Sequence, residues 1–199
     1  RVISDKDAVE GIKQKYGLPK KYILFVGTIE PRKNIKGLIH AYAVLKNKGY
    51  EHKLVIVGKR GWHYSDIFEA VRRLKLNSDI IFTDYVLGQD LPFIYNGASI
   101  FVYPTFYEGF GIPVLEAMSC GIPVVTSGVS SLPVITGEAA LLINPMDIEG
   151  ISISIDKILR DSHLANALVK KGLDRVNLFS VEKMITETVQ VYNEVLSDN

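Results

Sequence analysis

Short apolar runs rich in β-branched residues recur along this chain, and amphipathic stretches of helical period separate them. The runs are YILFVG from Tyr22, KLVIVG from Lys53, DIIFTD from Asp79, SIFVYP from Ser99 and IPVVTS from Ile122. Each is bounded by glycine, proline or a polar cluster, which marks a buried strand rather than a piece of helix. The helical patterns between them cover Ile35 to Asn47, Ser65 to Leu76, Asp90 to Asn96 and Gly111 to Ser119. Strand and helix therefore alternate, and strands apolar on both faces need helices on both faces. The expected fold is α/β, a doubly wound, mostly parallel sheet of Rossmann-like type. Ala140 to Ile143 reads as a sixth strand. Asp147 to Leu196 reads as two or three helices, broken at Asn177-Leu178-Phe179-Ser180.

With 199 residues, the chain suits one large domain. Residues 1–21 are polar, with a weakly amphipathic stretch from Ala8 to Tyr16, and end in Gly17-Leu18-Pro19; they are expected as an interdomain linker, with residues 22–199 as the domain. The 23 basic and 22 acidic residues leave a net charge of +1. No global field recruits nucleic acid or an anionic surface, so any bound anion must be held locally. No apolar stretch reaches the roughly 20 residues of a membrane-spanning helix. Cys120, the single cysteine, excludes an internal disulfide and a zinc-type Cys/His cluster and fits a reducing compartment. The chain opens on Arg1 without an initiator methionine, and is expected to be a piece of a longer polypeptide.

In a doubly wound sheet, ligands sit beyond the carboxyl ends of the strands where strand order reverses, so the loops after strands hold the candidate chemistry. The first is Gly27-Thr28-Ile29-Glu30-Pro31-Arg32-Lys33-Asn34. Asn34 is placed to cap the following helix, and Arg32 and Lys33 stand at its N-terminus, where amides and the helix dipole already favour an anion. A solvated Arg-Lys pair in a surface turn is the plainer alternative.

The second is FYEGFGIPVLEAM from Phe106. Pro113 belongs to the first turn of a helix that Gly121 and Pro123 close. Glu108 thus lies in the loop and Glu116 inside the helix, about 7–8 Å along the axis from the Gly111 amide. That offset suits an anion at the helix N-terminus with a hydroxylated ring alongside. Gly109 and Gly111 let backbone approach the anion. Glu116, flanked by Leu115, Ala117 and Met118, needs a partner to be buried; ribose hydroxyls are one, an internal lysine or backbone donor the other. The third loop, Ser127-Gly128-Val129-Ser130-Ser131, reads equally as a ligand wrap and as a plain connector.

His40, His52, His63 and His163 are scattered without metal-ligand spacing, and no Asp-x-Asp triplet is present, so no metal is expected. His63, beside Trp62, follows a strand and could line the crevice, although a surface role fits it better. Ser127 lacks a recognisable His and acidic partner for nucleophilic chemistry.

Taken in order, Gly27-Thr28-x-Glu30-Pro31-Arg32-Lys33-Asn34, Asp90-Leu91-Pro92, Tyr103-Pro104-x-x-Tyr107-Glu108-Gly109-Phe110-Gly111-x-Pro113-x-Leu115-Glu116-Ala117-Met118, Gly121-x-Pro123-Val124-Val125 and Ser130-Ser131-Leu132-Pro133 resemble the retaining GT-B glycosyltransferases of family 4, also called group 1. The likeness runs from about residue 20 to 196. It implies the C-terminal, donor-binding half of a two-domain enzyme, inactive in isolation, whose missing N-terminal domain supplies most acceptor contacts. By the resemblance, Lys33 and Arg32 serve the diphosphate, the Phe110 and Gly111 amides the phosphates, Glu108 the transferred sugar and Glu116 the ribose. Gly27 and Thr28 border the donor, and Asp84, Tyr85 and Val86 contact the base.

The implied substrate is a nucleoside-diphosphate sugar, GDP-mannose foremost, with a glycan or lipid-linked acceptor. Neither metal nor cofactor is implied. A cytoplasmic location follows, with membrane association routed through the other domain. Many relatives carry Gly-Arg where this chain has Gly27-Thr28, so Arg32 must supply the second cation; Val134 stands where a glutamate is common.

Competing readings are a sugar-nucleotide epimerase or phosphorylase-like enzyme of the same architecture, a nucleotide-binding module inactive without its partner domain, and a redox enzyme. The last lacks the expected Gly-x-Gly-x-x-Gly.

Overall fold

The computed structural model describes residues 1–197. Among them the strands are β1 (Tyr22–Val26), β2 (Lys53–Val57), β3 (Ile80–Asp84), β4 (Ile100–Tyr103), β5 (Val124–Ser127) and β6 (Leu141–Ile143). The helices are α1 (Lys6–Lys15), α2 (Ile35–Asn47), α3 (Ser65–Arg73), α4 (Leu91–Asn96), α5 (Ile112–Ser119), α6 (Leu132–Thr136), α7 (Ile148–Arg160), α8 (Ser162–Val176) and α9 (Val181–Ser197), with a 3₁₀ turn at Pro31–Lys33.

All six strands run parallel in the order β3-β2-β1-β4-β5-β6. Tyr22 faces Lys53 and Val26 faces Val57 in the central ladder, and Ile23 faces Ile100 on its other side. Every residue of β1, β4 and β5 is buried, which is why these runs carry no polar alternation. Helix α2 packs against both α3 and α7, and α5 packs against both α4 and α8, with α1 lying on α4.

The chain reverses direction of winding between β1 and β4. Their carboxyl ends open a crevice there, and the loops of residues 27–34 and 104–111 form its lips. Gly58 allows β1 and β2 to close beneath it, because a Cβ there would overlap the Gly27 carbonyl.

One expectation about local structure is revised, at Asn34. Within residues 1–21 the amphipathic stretch forms α1, which docks on the rest: Lys15 Nζ and the Tyr16 hydroxyl donate to Asp90 Oδ2 at 2.6 and 2.7 Å. Asn34 occupies the N-cap position of α2 but makes no capping bond. Its amide donates instead to the carbonyls of Pro104 and Pro145, at 3.0 and 2.6 Å, and so fastens the first lip to the second. The tail forms α7, α8 and α9 with its break at 177–180 as expected, and no residue of α9 is buried. Among the described residues no helix is long and apolar enough to cross a membrane.

Candidate functional site

Lys33 is the centre of the crevice. It ends the 3₁₀ turn, is only 7% exposed, and cannot be the solvated surface cation that its sequence context also allowed. Its Nζ donates to Glu108 Oε2 and to the Tyr103 hydroxyl, each at 2.5 Å. Tyr103 completes the triangle by donating to the same Glu108 oxygen at 2.8 Å. A buried ammonium and carboxylate in contact satisfy the rule that buried charges must be paired.

Arg32 borders this triangle from the solvent side. Its guanidinium donates to Glu30 Oε1 at 2.7 Å, to the Tyr107 carbonyl at 2.8 Å and to Glu108 at 3.4 Å. Trp62 donates its indole N–H to the other Glu30 oxygen at 3.1 Å. Two cations thus stand on one lip of the crevice, with Thr28 exposed beside them.

Burial works to raise the Glu108 pKa, but the Lys33 and Tyr103 hydrogen bonds and the nearby Arg32 overcome it, leaving the carboxyl below its ordinary value. Tyr103 moves the opposite way. Burial, then the adjoining Glu108, pushes its hydroxyl far up and keeps it protonated.

The second lip is braced by the loop that sequence left undecided. Ser130 Oγ accepts the Glu108 amide at 3.1 Å, and Ser131 Oγ donates to the carbonyls of Glu108 and Phe110, both at 3.0 Å. The loop then enters α5 through Gly111, whose φ of 105° lies in the left-handed region. Among the described residues the Phe110 and Gly111 amides have no acceptor, so they are available to an anion at the start of the helix. The exposed Phe110 ring packs edge-on against Phe179.

Glu116 is half-buried on α5. Its partner is neither a lysine nor a backbone group but the Tyr95 hydroxyl, which donates to Oε2 at 2.9 Å. Burial raises the Glu116 pKa, opposed by that bond. Asp84 adopts a left-handed backbone with φ 55° and lies 3.3 Å from Arg60. Tyr85 is exposed beneath the Lys59 ammonium, 4.6 Å from its ring centroid. Val86 turns into the core, so its side chain cannot meet a ligand and only its backbone remains for that role.

The structure therefore brings Lys33, Arg32, Glu108, Phe110 and Gly111 to one crevice, with Glu116 along the helix behind them and residues 84–86 at the end of β3. The motifs contain Glu30 and Tyr103 without giving them roles, and Tyr95 lies outside them. Their carboxylate and hydroxyls act across elements, which no local pattern shows. Among the described residues, no group of three His, Cys, Asp or Glu side chains converges as a metal site.

Residues 9–175 match the family model described as glycosyl transferases group 1. The chain is 43% identical over 181 residues to O-antigen chain mannosyltransferase B of Escherichia coli, covering 90% of itself and 48% of that relative. It thus spans about half the length of that protein. Among solved structures, sucrose-phosphate synthase from Thermosynechococcus elongatus superposes with a TM-score of 0.85 at 29% identity, over 96% of this chain and 49% of that one. The C-terminal domain of a group 1 glycosyl transferase from Francisella tularensis superposes with a TM-score of 0.76 at 24% identity, over 89% and 93%, and supports the fold alone. A family match over most of its length, on a parallel sheet flanked by helices, makes this chain a member of the group 1 glycosyltransferases.

Proposed function

We propose that this chain is the donor-binding domain of a retaining, metal-independent glycosyltransferase that moves a hexose, mannose from GDP-mannose, onto a glycan or lipid-linked acceptor. The observation that carries the reading is the Lys33–Tyr103–Glu108 triangle beside the unpaired Phe110 and Gly111 amides. The similarity to a mannosyltransferase supports the choice of sugar.

In this reading the diphosphate lies between Lys33, Arg32 and the start of α5. Loss of the nucleoside diphosphate from the anomeric carbon builds negative charge on the leaving group. Fixed cations and helix amides aimed at that charge lower the barrier without reorganising. Glu108, kept ionised by Lys33, accepts from hydroxyls of the transferred sugar. Glu116 accepts from the ribose, which replaces or joins the Tyr95 hydroxyl as its partner. Tyr85 and the backbone of 84–86 border the base. No cofactor enters the scheme.

Most acceptor contacts and the opposite wall of the crevice belong to a preceding domain, consistent with coverage of about half of the relatives' length. The same domain carries any membrane association of this cytoplasmic enzyme. The chain alone is expected to bind GDP and to transfer no sugar.

Calorimetric titration with GDP and UDP tests the assignment. Binding of GDP that is lost or strongly weakened in Lys33→Ala and in Glu116→Ala supports it; unchanged binding in both variants sinks it.

A further inference from the structure

The Pro31–Lys33 turn separates two regions. Lys33 points to Glu108, whereas Pro31 and Asn34 border a groove of about 390 Å³ on the other side, between the N-terminal ends of α2 and α3 and the segment entering α7. This groove holds none of Lys33, Arg32, Glu108 or Glu116, and its volume falls within the range of roughly 300–1,000 Å³ typical of small-ligand sites.

Its lining mixes two chemistries. Phe106, Met146 and Ile148 present partly exposed apolar surface. Among them converge His40, His63, Lys36 and Asp66. Among the described residues the side chains of His40, His63 and Lys36 make no hydrogen bond or ion pair, and Asp66 accepts only a long 3.5 Å bond from its neighbour Ser65. The His63 ring stands edge-on to Trp62, 5.3 Å between centroids, and Trp62 is tied to Glu30. One wall of the groove is therefore anchored to the crevice.

Charge selects the occupant. Lys36 and Asp66 offset one another, and burial, with Arg73 and Lys36 nearby, lowers the His40 pKa and favours the neutral ring. A lining whose one lysine is balanced by one aspartate offers no cluster of cations to compete with Lys33 for phosphate. Imidazoles, an ammonium and a carboxylate over an apolar floor suit a ligand with an apolar C–H face and a rim of hydroxyls, which is the chemistry of an uncharged sugar ring.

We propose that this groove is a second binding site, for a neutral sugar unit of the acceptor glycan. The identity of the sugar rests on the glycosyltransferase reading above, and the test keeps the two apart.

Chemical-shift mapping of the chain with linear α-linked mannotriose, without nucleotide, reads the groove directly. The expected result is shifts at His40, His63, Asp66 and Met146. In His40→Ala and Met146→Glu, mannotriose affinity falls on the order of tenfold or more while GDP titrations match wild type. In Lys33→Ala the trisaccharide shifts persist and GDP binding falls. Mannotriose shifts that are absent, confined to Lys33–Glu108, or unchanged in both groove variants overturn the proposal. So do groove resonances that move with protein concentration alone, which mark a second copy as the occupant. Groove binding without any GDP or UDP binding upholds the sugar site and removes the donor-domain reading.

Discussion

Tyr103→Phe removes one hydroxyl and leaves a phenyl ring where the tyrosine ring was. The ring is fully buried and stacked against Phe25 and Phe101, at 5.6 and 5.7 Å between centroids, so packing survives the change. What is lost is the acceptor for Lys33 at 2.5 Å and the donor to Glu108 at 2.8 Å. Hydrogen bonds to charged groups contribute about 1.5–3 kcal/mol each. Both bonds go, but Lys33 and Glu108 retain their own contact and still satisfy each other, so the expected net loss is on the scale of a single charged hydrogen bond, about 1.5–3 kcal/mol. In a domain of this size each kcal/mol moves the Tm by about 2–4 °C, giving a fall of roughly 3–12 °C. Urea unfolding at neutral pH measures the loss as a lower midpoint with an unchanged slope. A change below about 0.5 kcal/mol, the range of an ordinary surface substitution, would refute the claim that this hydroxyl stabilises the buried pair.

The two glutamates predict opposite pH dependences. Glu108 has a folded pKa below 4.5, so its contribution is complete above that value and is lost as pH falls from there through the folded pKa; Glu108→Gln abolishes this acid sensitivity in unfolding curves. Glu116 has a folded pKa above 4.5, so its ionisation lowers stability as pH rises from there through the folded value, and Glu116→Gln is more stable at neutral pH while binding GDP more weakly. Gly111→Ala forces a side chain onto φ 105° with its Cβ 2.7 Å from Leu132 Cδ2; a loss of about 1–3 kcal/mol in denaturant unfolding is expected. Ser131→Ala frees two loop carbonyls at a cost of about 1 kcal/mol, and hydrogen exchange over residues 108–111 accelerates.

Strands and major helices were legible because their signals are local. YILFVG and SIFVYP are buried on both faces and read as such, and the period of residues 35–47 matches α2 to the residue. Pro113 and Gly121 bracketed α5 for reasons of backbone geometry that hold in any context. The donors and acceptors around the site were not legible, since they join residues far apart in the chain. Nothing local tells Tyr103, inside an apolar strand, from a core residue, yet its hydroxyl meets Lys33, seventy positions away. Asn34 looked like a cap because its type and place fit one; two proline carbonyls from other loops compete for the same amide and win. The amphipathic stretch from Ala8 to Tyr16 signalled α1 but not where it docks, as its partner Asp90 lies beyond β3.

The most direct test of the central claim is a crystal structure of this chain with GDP-mannose. The account predicts the diphosphate within hydrogen-bond reach of Lys33 Nζ and the Phe110 and Gly111 amides, the ribose hydroxyls at Glu116, and the mannose at Glu108. A nucleotide whose diphosphate lies away from Lys33 and whose ribose does not meet Glu116 would contradict it.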